Sequence, residues 1–301
     1  MNLFNHLIVA FLPLVPKPIV RWISRPYVAG VELADAVRTV KQLNQQGMCA
    51  TLDVLGESTL DPALCEEAIA DYHRVLEAIE QERLDCNISL KLTQLGLLID
   101  REQCRQNVRR IMQKAAACGV FVRVDMEDAS VTSATLELFQ QLHAEFPNSG
   151  IVLQAYLRRT LADLKNLTAQ KTNFRLCKGI YIEPRTLAFK NPQIINENYT
   201  LLLERGLQAG CYVGIATHDE KLVWQALRLI DTLALSRDQY EFQMLLGVDE
   251  ELRDLIVRAG HKLRVYVPFG KRWYAYCTRR LKENPQIAIY VLKALLGIKT
   301  K

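Results

Sequence analysis

Residues 262–284 read KLRVYVPFGKRWYAYCTRRLKEN, and the order of signals in them decides the fold. Residues 262–267 are β-branched and aromatic enough to form a strand, Pro268 and Gly270 break the run, and helix formers take over from Lys271. Strand, turn and helix are one unit, and the unit recurs upstream. Helix 31–46 precedes strand 48–55, helix 61–81 leads to strand 87–92, and helix 101–118 leads to strand 120–126. The pattern continues with helix 133–145 and strand 151–156, helix 159–169 and strand 174–178, and helix 194–209 and strand 211–217. Helix 220–235 with strand 240–246 and helix 249–259 with strand 262–267 complete it. The strands read mostly as continuous apolar runs, as expected of strands covered on both faces. Eight strands each followed by a helix predict an α/β chain with a parallel sheet, closed as a (β/α)8 TIM barrel; an open doubly wound sheet is the second architecture.

The bulk properties agree with one large unit. Half of the 301 residues are apolar, and no Pro/Gly/Ser-rich linker divides them. A net charge of +5, from 38 basic and 33 acidic residues scattered along the chain, does not point to nucleic acid. The eight cysteines occur singly, without a C-x-x-C pair or zinc spacing, which fits reduced thiols in a cytoplasmic protein and no metal. At the amino terminus, residues 7–15 are apolar but interrupted by proline and far short of the ~20 that span a bilayer. No basic region precedes them, so a cleaved signal peptide is not expected. Trp22 with Lys17, Arg21 and Arg25 suits either a membrane surface or an arm packed on the barrel. The expected division is an N-terminal helical arm, 1–26, and the barrel, 27–301.

In such a barrel the functional face lies at the carboxyl ends of the strands. Those ends carry Asp53 with Glu57, Lys91, Asp125 with Glu127 and Asp128, Gln154 with Tyr156, and Arg175 with Lys178 and Tyr181. Thr217, His218, Asp219, Gln243 and Tyr266 complete the set. Glu57, Asp128 and Asp219 read as solvated or capping residues. Lys91 and Arg175 stand inside apolar strands, where an unpaired charge costs several kcal/mol, so each needs an anion. That anion is either a ligand or the protein's own Asp125. On the last helix Tyr276, Arg279, Arg280 and Glu283 share one face, which is either a solvated face paired through Glu283 or a clamp for a carboxylate. Neither G-x-G-x-x-G nor G-x-x-x-x-G-K-[ST] occurs, so a nucleotide cofactor would have to be held by barrel loops. His218 alone, without a Ser-His-Asp setting, fits a hydrogen-bonding group better than a catalyst.

A set of motifs extends this reading. SLKLTQLG around Lys91, VRVDMED around Asp125, LQAY ending at Tyr156, FRLCKGIYIEP at 174–184, ATHDE at 216–220, EFQMLLG at 241–247, and YVPFG followed by YCTRRLKEN occur in that order. Over roughly residues 27–285 they closely resemble the proline dehydrogenases. The resemblance implies noncovalent FAD across the top of a distorted (β/α)8 barrel, with the last helix over its mouth. It implies hydride transfer from C5 of L-proline to flavin N5, giving Δ1-pyrroline-5-carboxylate in the first step of proline catabolism. A quinone would then reoxidise the flavin, with cytoplasmic location and peripheral contact at the inner membrane.

Carried over residue by residue, the resemblance assigns the substrate carboxylate to Arg279, Arg280 and Lys91. It places Tyr266 beside the proline ring, Leu245 in the pocket wall, and Asp125 among the charged groups it orients. Arg175 would donate toward N5, with Gln154 in contact with the flavin ring. Lys178, Gly179, Thr217 and His218 would lie by the ribityl chain and phosphates, Asp125, Tyr181, Gln243 and Glu283 would also belong to the cofactor site, and Glu283 and Tyr276 would support the arginine helix. Lys91, Asp125, Arg175, Arg279 and Arg280 form the implied catalytic set. Ile180 stands where the family commonly has alanine, which leaves the pocket size on that side open. The segment between Gly270 and Tyr276 is shorter than in bifunctional relatives, so the expectation is a monofunctional enzyme. Two other classes stay open: a barrel lyase or aldolase forming a Schiff base at Lys178, and a non-catalytic barrel that binds through its arginine helix.

Overall fold

Eight parallel strands close into a barrel in chain order, β1 (Cys49–Val54), β2 (Cys86–Leu90), β3 (Val122–Val124), β4 (Ser149–Gln154), β5 (Phe174–Cys177), β6 (Val213–Ala216), β7 (Tyr240–Leu245) and β8 (Leu263–Phe269), with β8 pairing back on β1. The computed structural model describes residues 17–283, apart from the side chains of residues 17, 19, 23, 24 and 279–283.

The expectation of continuous apolar strands is corrected by the barrel's interior. Outward positions such as Leu52, Ile88, Val124, Phe174, Phe242 and Val265 meet the helices in one buried apolar shell. The alternate positions carry Asp53, Ser89, Arg123, Arg175, Glu241, Gln243, Arg264 and Tyr266, all of them polar. Tyr266 on β8 reaches Asp125 after β3, and Arg175 on β5 reaches Ser89 on β2, contacts that cross the inside of the ring. The strands therefore have a period of two, apolar toward the helices and polar toward the axis. A polar barrel interior is stable only when its groups find partners; most do so in charged pairs described below, while Arg123 donates to the Ile151 and Asn173 carbonyls and to Asn173 Oδ1.

The surrounding helices are α2 (Leu33–Gln45), α3 (Pro62–Gln81), α4 (Arg101–Ala117), α5 (Thr132–Glu145), α6 (Thr160–Ala169), α7 (Pro192–Gln208), α8 (Glu220–Thr232) and α9 (Glu250–Arg258). Their starts follow from local chemistry. Asp61 accepts the Ala63 N–H ahead of Pro62, Asn191 accepts those of Gln193 and Ile194 ahead of Pro192, and Asp219 accepts that of Lys221. A 3-10 turn at Leu92–Leu95, closed by Gly96 at φ 100°, follows β2. The strand expected over 87–92 ends at Leu90, because the apolar Leu92 opens this turn instead of extending the strand.

Pro268 does not end β8, contrary to expectation. Its carbonyl accepts the Ala29 N–H, on the side turned away from the ladder, so the missing proline N–H leaves no sheet bond unmade. The last helix, α10 (Trp273–Glu283), begins two residues later than expected. A first helix, α1 (Lys17–Ser24), packs on it: Val20 is buried with Leu55, Tyr276 and Cys277. Trp22 remains exposed.

Candidate active site

At the carboxyl ends of the strands the barrel opens into a cavity of about 560 Å³, within the range typical of small-molecule sites. Lys91, Asp125, Gln154, Arg175, Lys178, Gly179, Tyr181, Thr217, His218, Gln243, Leu245 and Tyr266 all line it, whereas Asp53, Glu57, Glu127, Asp128 and Tyr156 of the strand ends do not. Tyr276 of α10 borders it too, which places the last helix at the mouth. The side chains of Arg279, Arg280 and Glu283 lie outside the described residues.

The floor is a buried network of two cations and two carboxylates. Lys91 Nζ donates to Asp53 Oδ1 at 2.7 Å and to the Tyr266 hydroxyl at 3.2 Å, and stands 3.7 Å from Asp125 Oδ2. Arg175 Nη1 donates to Asp125 Oδ1 at 2.8 Å, and its Nε donates to Gln243 Oε1 at 2.5 Å. Ser89 and Tyr266 each donate a hydroxyl to Asp125, at 2.8 and 3.0 Å. The anion sought for Lys91 and Arg175 is thus the protein's own, shared between Asp53 and Asp125. Burial alone would raise the Asp125 carboxyl, but Arg175 and Lys91 beside it hold it below its ordinary range. Burial likewise works against charged Lys91, and Asp53 and Asp125 overcome it and hold the ammonium above its usual value. Burial, reinforced by the same carboxylates, raises the Tyr266 phenol, which keeps its proton as a donor.

The wall on the β5 and β6 side is built differently. Gly179 has φ +106°, and a Cβ there would lie 2.1 Å from the Tyr156 ring, so only glycine lets the backbone lie on that ring. Lys178 pairs with Asp219 at 2.6 Å, so a nucleophilic amine at Lys178 would first have to abandon that carboxylate. Asp219 therefore does more than cap α8. His218 Nε2 accepts the Leu245 N–H at 2.8 Å, which assigns the proton of the neutral ring to Nδ1. Gln154 donates to the Glu127 carbonyl at 2.7 Å, fixing its amide at the cavity edge. Glu127 is itself buried, receiving the Thr93 N–H at 3.0 Å and the Thr93 hydroxyl.

These groups fit a flavin nucleotide. Gln154, Arg175 and Gln243 bring amide and guanidinium groups, the kinds of partner a flat heteroaromatic ring would need, to the same cavity, and the glycine at 179 permits close backbone approach. Lys178 gives the outer end of the cavity a cation suited to phosphates.

Sequence reasoning missed Asp53 as the partner of Lys91, and it missed Ser89 and Glu241. The available signal was the period of two. Asp53 pairs in register with Ser89, two residues before Lys91, and Glu241 precedes Gln243 by two on the same face. Among the described residues no group of three or more His, Cys, Asp or Glu could hold a metal ion, and no helix is long and apolar enough to cross a membrane.

A closed parallel barrel with acid-buttressed cations on its cavity floor defines a TIM-barrel enzyme that binds a small molecule at the strands' carboxyl ends. Comparison with known proteins narrows the class. The family described as proline dehydrogenase matches residues 36–291. Proline dehydrogenase 1 of Bacillus subtilis subsp. natto is 37% identical over 273 residues, which is 91% of this chain and 90% of the relative. The proline dehydrogenase of Deinococcus radiodurans is 36% identical over 279 residues, with the same two coverages. Among solved structures, proline utilization A from Bdellovibrio bacteriovorus inactivated by N-propargylglycine superposes with a TM-score of 0.85 at 26% identity; the match covers 93% of this chain and 36% of that one. The chain belongs to the proline dehydrogenase family. It is an oxidoreductase acting on proline, in the first step of proline catabolism. The family as a whole depends on FAD.

Proposed function

We propose that this chain binds FAD noncovalently in the barrel mouth and there oxidises L-proline to Δ1-pyrroline-5-carboxylate. The observation that carries the reading is Asp125 on the cavity floor, which holds Arg175 at 2.8 Å and stands 3.7 Å from Lys91. When bound, FAD supplies the two-electron acceptor that no side chain provides.

The chain's own residues bind and orient. An ammonium has three donors, and Lys91 spends two on Asp53 and Tyr266, leaving one N–H for a substrate carboxylate. Arg279 and Arg280, the clamp expected from sequence, complete carboxylate binding with Glu283 as their support. Tyr266 and Leu245 shape the pocket for the ring. A five-membered ring held by its carboxylate has little freedom left, so its C5 is presented in one orientation. Gln154, Arg175 and Gln243 hold the flavin ring, and Lys178, Gly179, Tyr181, Thr217 and His218 hold the ribityl and phosphate portion. Electrons leave to a quinone at a membrane surface that the protein contacts peripherally.

Purified protein should show a flavin absorption spectrum that L-proline bleaches anaerobically, with the pyrroline trapped as product. A colourless protein inactivated by borohydride in the presence of a carbonyl substrate would replace this reading with the lyase at Lys178. A quinone analogue should restore the oxidised spectrum after bleaching; failure to do so would remove the quinone.

A further inference from the structure

We propose that Glu241, on the barrel axis one inward position below Gln243, is a positioning residue that fixes the Gln243 amide and through it Arg175. The proposal rests on the flavin reading above. Glu241 Oε1 accepts a hydrogen bond from Gln243 Nε2 at 2.6 Å, and Gln243 Oε1 accepts one from Arg175 Nε at 2.5 Å. A carboxylate has no hydrogen to give. It can take only the NH2 end of the amide, which leaves the oxygen end for Arg175.

Glu241 is kept in the form this requires. Arg264 Nε donates to it at 2.8 Å, the Tyr212 hydroxyl at 3.0 Å, and Lys262 lies 3.6 Å away. Burial alone would raise its carboxyl, yet these partners, Arg264 foremost, hold it down to about 2. Room for the relay comes from β6. Gly214 lies in register between Arg175 and Glu241, and a Cβ there would stand 2.5 Å from Gln243 Nε2. The amide occupies the space a side chain would fill. Four residues from three adjacent strands thus serve one contact, the hold of Gln243 on Arg175.

With glutamine at 241 the constraint is lost, because that side chain can also donate. The Gln243 amide is then free to reverse and turn its NH2 toward a guanidinium that can only donate. The sign of the flavin midpoint potential separates positioning from simple electrostatics. Removing a negative charge that acts only through space favours the anionic reduced flavin and raises the potential. Releasing Arg175, a positive donor, lowers it.

The experiment measures the midpoint potential by dithionite titration of flavin-loaded wild type, Glu241→Gln and Gly214→Ala. Expected is a lower potential in both variants, with reduction by L-proline slowed roughly tenfold. Gly214→Ala crowds the amide while altering no charge and leaving the Arg264 pair intact, so it serves if Glu241→Gln does not fold. A potential raised in Glu241→Gln, or unchanged in Gly214→Ala, overturns the proposal. In the apoprotein the Arg175 Nε–H should exchange slowly with water in wild type and rapidly in the variants. That arm needs neither flavin nor proline, so it stands or falls apart from the proposed reaction; equal exchange in all three would also overturn the relay.

Discussion

Asp125 shows most clearly what one residue does here, since two cations and two hydroxyls converge on it. Its carboxyl is harder to protonate in the fold than in the unfolded chain, because Arg175 and Lys91 outweigh the effect of burial. A depressed carboxylate contributes stability that is present above the unfolded pKa, about 3.9, and is lost as the pH falls through the folded value. Asp125→Asn should therefore cost about 3–5 kcal/mol at neutral pH, by leaving buried cations underpaired, and cost progressively less below about pH 4. Urea denaturation at pH 7 and at pH 3 measures this, and an equal loss at both would exclude the ion pairs as its cause. Lys91 and Arg175 were legible in the sequence because a charge inside an apolar run is conspicuous. Asp53 was visible as a strand-end residue, but its pairing was not, because barrel register and not sequence distance brings it to Lys91. For Arg279, Arg280 and Glu283, helical spacing put them on one face and the family resemblance chose the carboxylate clamp.

Among the elements, β5 and the segment after it supply cavity-lining residues from Arg175 to Tyr181, the wall proposed to face the cofactor. Phe174–Cys177 supplies Arg175, and the chain then turns through Lys178 and Gly179, with Gly179 lying on the Tyr156 ring. Gly179→Ala demands both a left-handed backbone and displacement of an aromatic ring, a strain of about 1–3 kcal/mol from the backbone alone. It should reduce the flavin retained per chain while leaving the far-UV spectrum of the barrel intact. Full retention of flavin with unchanged thermal stability would show that the backbone there does not approach the cofactor. The helices and strands were legible to within a few residues because their caps and breakers are local: Asp61-Pro62, Asn191-Pro192, and glycine after several helices. Pro268 misled the reading of β8 for the converse reason. Its missing N–H faces away from the ladder, a fact set by the chain at Ala29 that no local signal reveals.

At the scale of the whole molecule, the barrel separates two kinds of packing. The outer faces of its strands bury an apolar shell against the helices, while the axis carries ion pairs from Arg264 with Glu241 up to Lys91 with Asp53. Eight repeats of helix and strand were enough to predict the closed barrel, and the barrel rule directed the search for a site to the strands' carboxyl ends, where the cavity lies. The polar axis was not foreseen, because strands read one at a time as hydrophobic hide a period of two that only register across neighbours makes plain. In the proposed reaction this axis presents Lys91 to the carboxylate of L-proline beneath a bound flavin. The most direct test is anaerobic stopped-flow reduction of the flavin over a range of L-proline concentrations, in wild type and in Lys91→Met. Wild type should bleach with saturation. The variant should keep its flavin and bind proline more weakly by about 1.5–3 kcal/mol, the loss of one charge-assisted hydrogen bond. Unchanged saturation in Lys91→Met, with flavin bound and reducible, would contradict the claim.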